Sequence, residues 1–133
     1  METFVFNDGG RSKYYAASGV GDCVVRAFAI AANKDYKEVY NMAKSLCKKG
    51  ESPRNGLTKT NCHKLGTMLG GVWVACSGIG TGCKMHLKAD ELPKGRIVCN
   101  CSKHLVAVID GVVNDTYDST RGGTRCVYGY WKF

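Results

Sequence analysis

The chain has 133 residues, 44% of them hydrophobic, which suits one domain spanning residues 1–133 and excludes a compositionally disordered chain. Nineteen Lys and Arg face eleven Asp and Glu, for a net charge of +8. That charge permits a nucleic acid or another anionic partner. The basic residues spread from Arg11 to Lys132, with one modest cluster at Lys44, Lys48 and Lys49, and no nucleic-acid motif accompanies them. A basic solvated surface is therefore favoured over a nucleic-acid interface.

No run of about 18 apolar residues is present, so no membrane span is expected. The start, METFVFNDGG, has neither a basic opening nor a long apolar stretch. It predicts no secretory signal and a cytoplasmic protein.

Taken in chain order, Thr3 to Asn7 suits a short strand, followed by a turn at Gly9 and Gly10. The stretch from Arg11 to Gly21 has no period. GDCVVRAFAIAAN is apolar from Val24 to Ala32 except for Arg26. Its Val-Val start allows a buried strand, but its Ala-rich length favours a buried helix. Asp22 is a natural N-cap, which puts Cys23 in the first turn. A clearer helix follows. Asp35 precedes Glu38 by three residues, and Tyr36, Val39, Tyr40, Ala43, Leu46 and Cys47 share one face. Gly50 is its expected stop. A third helix is predicted from about Thr58 to Leu69, ended by Gly70 and Gly71.

Beyond that point the pattern changes to strands. VWVAC, RIVCN, HLVAVID, VVNDTYD and RCVYGYW are rich in Val, Ile, Tyr and Trp. Asp110-Gly111 between two of them is a strong hairpin signal. The order predicts an α+β fold, with N-terminal helices packed on a C-terminal antiparallel β-sheet. Trp73, Trp131, Tyr128 and Tyr130 are expected as core or sheet-face aromatics.

Three residues stand out chemically. A thiol in the first turn of a helix feels the positive end of the dipole, which favours thiolate at Cys23. Position alone does not separate this from a buried core cysteine. His104 opens the most apolar strand and can reach into a cleft; alone it also fits a surface turn. Asp115 lies beyond the Asp110-Gly111 turn. At about 3.3 Å per residue it falls near the start of the preceding strand, where it can orient the imidazole. Asp118 is the reserve acid.

The eight cysteines contain no C-x-x-C pair, and Cys99 and Cys101 are one residue apart. With no export signal, reduced thiols are expected, with no structural zinc and no obligatory disulfide. Cys62, His63, Cys76, Cys83, His86, Cys99 and Cys101 are of the right types for a zinc site, but their spacing is not diagnostic. GIGTG (78–82) lacks the Lys-Ser/Thr and the helix of a phosphate loop. No cofactor is expected.

The order Cys, His, Asp on an early helix, a strand start and the next strand resembles the papain-like fold. The resemblance is carried by GDCVVRAFAIA (21–31), LPKGRIV (92–98), HLVAVIDG (104–111) and VVNDTYD (112–118), about a third of the chain. It is strongest toward small bacteriocin-processing-peptidase-like domains and short uncharacterised phage proteins. It implies a thiol protease, or another cysteine-dependent hydrolase or acyltransferase, acting on a protein or peptide. Cys23 would be the nucleophile, His104 the general base and Asp115 the orienting acid. If phage-encoded, the protein would act in the host cytoplasm. The family usually carries a Gln shortly before the Cys, whereas this chain has no Gln at all. The backbone N–H of Cys23 is left as one oxyanion donor, with Ser18 as a weaker second. A protein that keeps the fold and binds a host protein without turnover is the alternative.

Overall fold

The computed structural model describes residues 3–15, 22–76 and 82–133. Three helices precede most of the strands: α1 (Cys23–Ala32), α2 (Tyr36–Leu46) and α3 (Lys59–Met68). The strands are β1 (Phe4–Phe6), β2 (Val72–Ala75), β3 (Arg96–Cys101), β4 (His104–Ile109), β5 (Val112–Asp115) and β6 (Gly129–Lys132). They form one sheet in the order β1-β5-β4-β3-β6-β2. The class is α+β, with the helices N-terminal to the main strands.

The sheet is mixed rather than purely antiparallel. β1 pairs with β5 in parallel, Phe4 opposite Val113 and Phe6 opposite Asp115; all other neighbours are antiparallel. A parallel pair needs a crossover connection, and here the helices lie in the chain between the two strands. Nothing in the local pattern of Phe4–Phe6 announces that partner.

The sheet buries both faces, which explains why its central strands are apolar almost throughout. Side chains alternate along a strand. Val98, Ala107 and Trp131 accordingly pack with the helices, while Ile97, Cys99, Val106, Val108 and Val113 pack on the opposite face with Leu87, Leu92 and Val127. α1 is buried from Val24 through Ala31 because it lies between the sheet and α2. That sandwiching fits its near-continuous apolar sequence.

α2 forms where the capping pattern places it. The Asp35 carboxylate accepts from the Lys37 N–H at 3.1 Å, and Tyr36, Val39, Tyr40 and Ala43 are its buried face. The helix stops at Leu46, before Gly50. Thr58 caps α3 by accepting from the Asn61 N–H at 3.2 Å. Asp110 (φ 49°) and Gly111 (φ 81°) form a two-residue left-handed turn that joins Ile109 to Val112. Asp22 holds the N-cap position of α1, yet its side chain makes no capping bond. Its carboxylate is engaged elsewhere, as described below.

The expectation of wholly reduced cysteines is corrected by a disulfide between Cys83 and Cys126. The chain around Cys83 runs beside the chain leading to β6. Leu87 N–H donates to Arg125 O at 2.8 Å and Val127 N–H to Met85 O at 2.8 Å. This brings the two Cα atoms to 5.7 Å, within bridging range. Forty-three residues separate the partners, so sequence spacing carries no trace of the pairing. The other six cysteines are free thiols.

Candidate functional site

The site sits where the N-terminus of α1 meets the start of β4. Cys23 is the first residue of α1 and is half-buried. Its backbone N–H, at the first helical position, has no intrahelical acceptor. The His104 imidazole and the Leu105 amide lie near enough to the Cys23 sulfur to lower its pKa, and Cys23 and His104 line one cavity.

His104 follows a tight turn in which Lys103 adopts φ 55°. It is 6% exposed. Its Nε2 lies 2.6 Å from Asp115 Oδ2, which leaves Nδ1 as the ring nitrogen free for the thiol. Hairpin register explains this contact. Val108 pairs with Val113, so Asp115 lies on the same sheet face as Val106 and His104 and diagonally across from the histidine. The Tyr117 ring covers the imidazole with centroids 5.5 Å apart.

Asp115 is itself held on both oxygens. Oδ2 accepts from Ser119 Oγ at 2.8 Å, and Oδ1 accepts from the Thr116 N–H at 2.7 Å. Arg26 Nη2 stands 3.6 Å from Oδ1. The same guanidinium is hydrogen-bonded to Asp22 through Nη1. Asp22 is fully buried and also accepts from Tyr36 Oη at 2.7 Å and from Arg11 Nη1 at 3.2 Å. Two buried carboxylates thus share one buried guanidinium, and the chain of contacts runs from Tyr36 to Cys23.

The electrostatics follow from these contacts. Burial opposes charge on Cys23, but the hydrogen bonds from His104 and the Leu105 amide, with the nearby cations, bring its thiol below the usual range. Burial likewise disfavours the imidazolium, yet the bonds to Asp115 and Cys23 outweigh it and hold His104 at about 9. Burial would raise Asp115; the His104 contact and the bonds from Thr116 and Ser119 keep it lowered. The arrangement favours charge on both groups, thiolate on Cys23 and imidazolium on His104. The other five free thiols are all shifted the opposite way by burial, with Cys62 and Cys101 each at about 11.

The pair opens into a cavity of about 320 Å³, whose lining includes Cys62, His63, Asn100 and Trp131. Trp131 is buried and stacks on Trp73 with centroids 4.5 Å apart. A second cavity, of about 360 Å³, lies on Leu87, Gly111 and Asp118 and contains no residue of this cluster.

Cys23, His104 and Asp115 are therefore brought together, and Asp118 is not. Asp118 Oδ1 accepts from the Thr120 N–H at 3.0 Å and from its hydroxyl at 2.7 Å, so it serves a turn. Asp110 accepts from the Gly95 N–H at the far end of β4. Ser18 and all but the last residue of GIGTG lie outside the described residues. Cys83 is disulfide-bonded, His86 contacts Glu91, and Cys99 and Cys101 are buried on β3. Among the described residues, no three His, Cys, Asp or Glu converge as metal ligands. Nor is any described helix long and apolar enough to cross a membrane.

Sequence reasoning missed Arg26 and Asp22 as parts of the site. A signal was available. A lone charge inside an apolar helix must find a buried partner, and an acid four residues earlier is within reach. Ser119 gave no comparable signal. Compared with protein-family models, curated proteins and solved structures, the chain matches none of them.

Proposed function

We propose that the chain is a papain-like cysteine hydrolase or acyltransferase, foremost a peptidase, with Cys23 as nucleophile, His104 as general base and acid, and Asp115 as the orienting acid. The observation that carries this reading is the 2.6 Å contact between His104 Nε2 and Asp115, with Cys23 and His104 lining the same cavity. The nucleophile, its base and the base's orienter are linked in sequence, as activated nucleophiles require.

In the first step the Cys23 thiolate adds to the acyl carbon of an amide or thioester, forming a C–S bond and a tetrahedral oxyanion. The Cys23 N–H is one donor for that oxyanion. His104 then gives its proton to the leaving amine or thiol as the bond to it breaks. Water, deprotonated by His104, next attacks the acyl-enzyme and releases the acid and the thiolate. An amine acceptor in place of water gives transfer.

A second reading, binding of a host protein without turnover, is favoured by one observation: the chain contains no Gln to complete the oxyanion hole. A cytoplasmic site of action, in a host cell if the chain is phage-encoded, accords with six free cysteines, since thiols persist under reducing conditions. The Cys83–Cys126 bridge weighs against it.

Iodoacetamide labelling at pH 6, read by peptide mass spectrometry, tests the activated thiolate. Selective modification of Cys23 over the other five free thiols is expected. Equal or absent labelling at Cys23 overturns the hydrolase reading. Trapping of an acylated Cys23 with an activated ester then separates turnover from binding.

A further inference from the structure

The cavity beside Cys23 has a largely apolar wall that includes Val24, Leu57 and Leu105, and its permanently charged side chains are cations. Lys59, the first residue of α3, and Lys103, in the turn before His104, both line it and both are solvent-exposed. Neither ammonium group can accept a hydrogen bond. Trp131 lines it too, but its indole Nε1 is buried against Gly66 of α3 and is out of reach of the cavity. The remaining polar side chains of the wall are Asn100, His63 and the two catalytic candidates, apart from thiols. Among the described residues, no Asp or Glu lines this cavity.

A wall with two cations and no carboxylate is matched to a negatively charged ligand. We infer that the cavity takes acyl donors bearing a carboxylate next to the scissile carbonyl, with Lys59 and Lys103 as the residues that select it. The inference rests on the hydrolase reading and names its substrate class. The carboxylate can be an acidic side chain or a free C-terminus; the chemistry of recognition is the same. Lys59 and Lys103 line the same cavity as Cys23 and His104, so both charges face the space a bound acyl donor would occupy. Their influence is strongest within about one Debye length, roughly 10 Å at ordinary ionic strength.

Two small alkylating agents that differ only in charge read this directly. Iodoacetate and iodoacetamide each lose iodide as the thiolate forms a C–S bond, and only the first carries a carboxylate. The ratio of their rates at Cys23, at pH 6, is measured by peptide mass spectrometry for the wild type and for K59Q/K103Q, with thermal melts verifying that the variant is folded. The ratio of iodoacetate to iodoacetamide is expected to fall about tenfold in the variant, and to shrink in the wild type at about 0.5 M salt. The His104 imidazolium is present in both proteins, so its own attraction for iodoacetate cancels in the comparison.

Protection of Cys23 against iodoacetamide then identifies the source. Protection by a glutamyl peptide with an amidated end assigns the acidic side chain; protection by a neutral peptide with a free C-terminus assigns the terminal carboxylate. An unchanged ratio in K59Q/K103Q, or equal protection by a neutral amidated peptide, overturns the inference. Selective iodoacetamide labelling of Cys23 with an unchanged ratio sinks the carboxylate inference alone. No selective labelling by either reagent removes the hydrolase reading and the inference with it.

Discussion

The guanidinium of Arg26 stands 3.6 Å from the carboxylate of Asp115 while its other end binds the fully buried Asp22. One residue of α1 thereby ties the helix that carries Cys23 to the strand that orients His104. Buried charge is costly unless paired, so the three groups must fold together or not at all.

Replacing the guanidinium with a neutral side chain should therefore leave both carboxylates short of a partner. Arg26→Met is expected to lose about 3–5 kcal/mol of stability. Adding Asp22→Asn to that variant should recover part of the loss, because one orphaned charge is removed. Urea unfolding of the wild type, the single variant and the double variant measures both effects. A single variant as stable as wild type would show that the pairing contributes nothing.

The hydrogen bond to Asp115 raises His104 to about 9 and so supports the thiolate. In Asp115→Asn the imidazole should titrate closer to its ordinary 6.5, and alkylation of Cys23 at pH 6 should slow severalfold, because a less basic imidazole supports the thiolate less. Asp118→Asn should leave both unchanged, since the Asp118 carboxylate is engaged by Thr120 in a turn. Imidazole NMR titration together with labelling rates decides between the two acids.

Asp115 also predicts an acid limb in the stability curve. Its carboxyl titrates below its ordinary 3.8 in the folded state, so the folded protein binds fewer protons there than the unfolded chain. The stability this supplies is present above pH 3.8 and is lost as pH falls through the lowered value. Chemical denaturation between pH 5 and 2 should show a shallower fall in Asp115→Asn than in wild type, and parallel curves would contradict the assignment.

The Cys83–Cys126 bridge closes a long loop that packs the second core against the sheet. Cys83→Ser/Cys126→Ser is expected to lose about 2–4 kcal/mol, and dithiothreitol should lower the melting temperature of the wild type but not of the double variant. Identical melting of the wild type with and without reductant would show that the bridge does not stabilise the protein.

Gly66 tests how α3 closes the cavity. A Cβ built there would lie 2.7 Å from Trp131 Cδ1 and 2.8 Å from its Nε1, closer than packing allows. Gly66→Ala should push α3 off the indole, costing about 1–3 kcal/mol, although alanine favours helix more than glycine. A stabilised variant, read by thermal melting, would show that α3 yields freely.

Sequence alone was enough for features whose information is local. α2 follows from a cap and a 3.6-residue period, and the Asp110-Gly111 turn sets a hairpin register that carries Asp115 back beside the start of β4. The reading of His104 and Asp115 as neighbours rests on that register, whereas Cys23 reaches them only through the packing of α1 on β4. Other features were decided only by the tertiary structure. Phe4–Phe6 finds β5 across the whole helical region, Cys83 meets Cys126 across 43 residues, and the cavity beside Cys23 needs α1, α3, β3, β4 and β6 at once. Arg26 marks the boundary between the two kinds. Its sequence shows that a buried charge needs a partner four residues back, but only the packing of α1 on the sheet delivers the second carboxylate, because long-range pairing depends on how separate elements stack rather than on any local period.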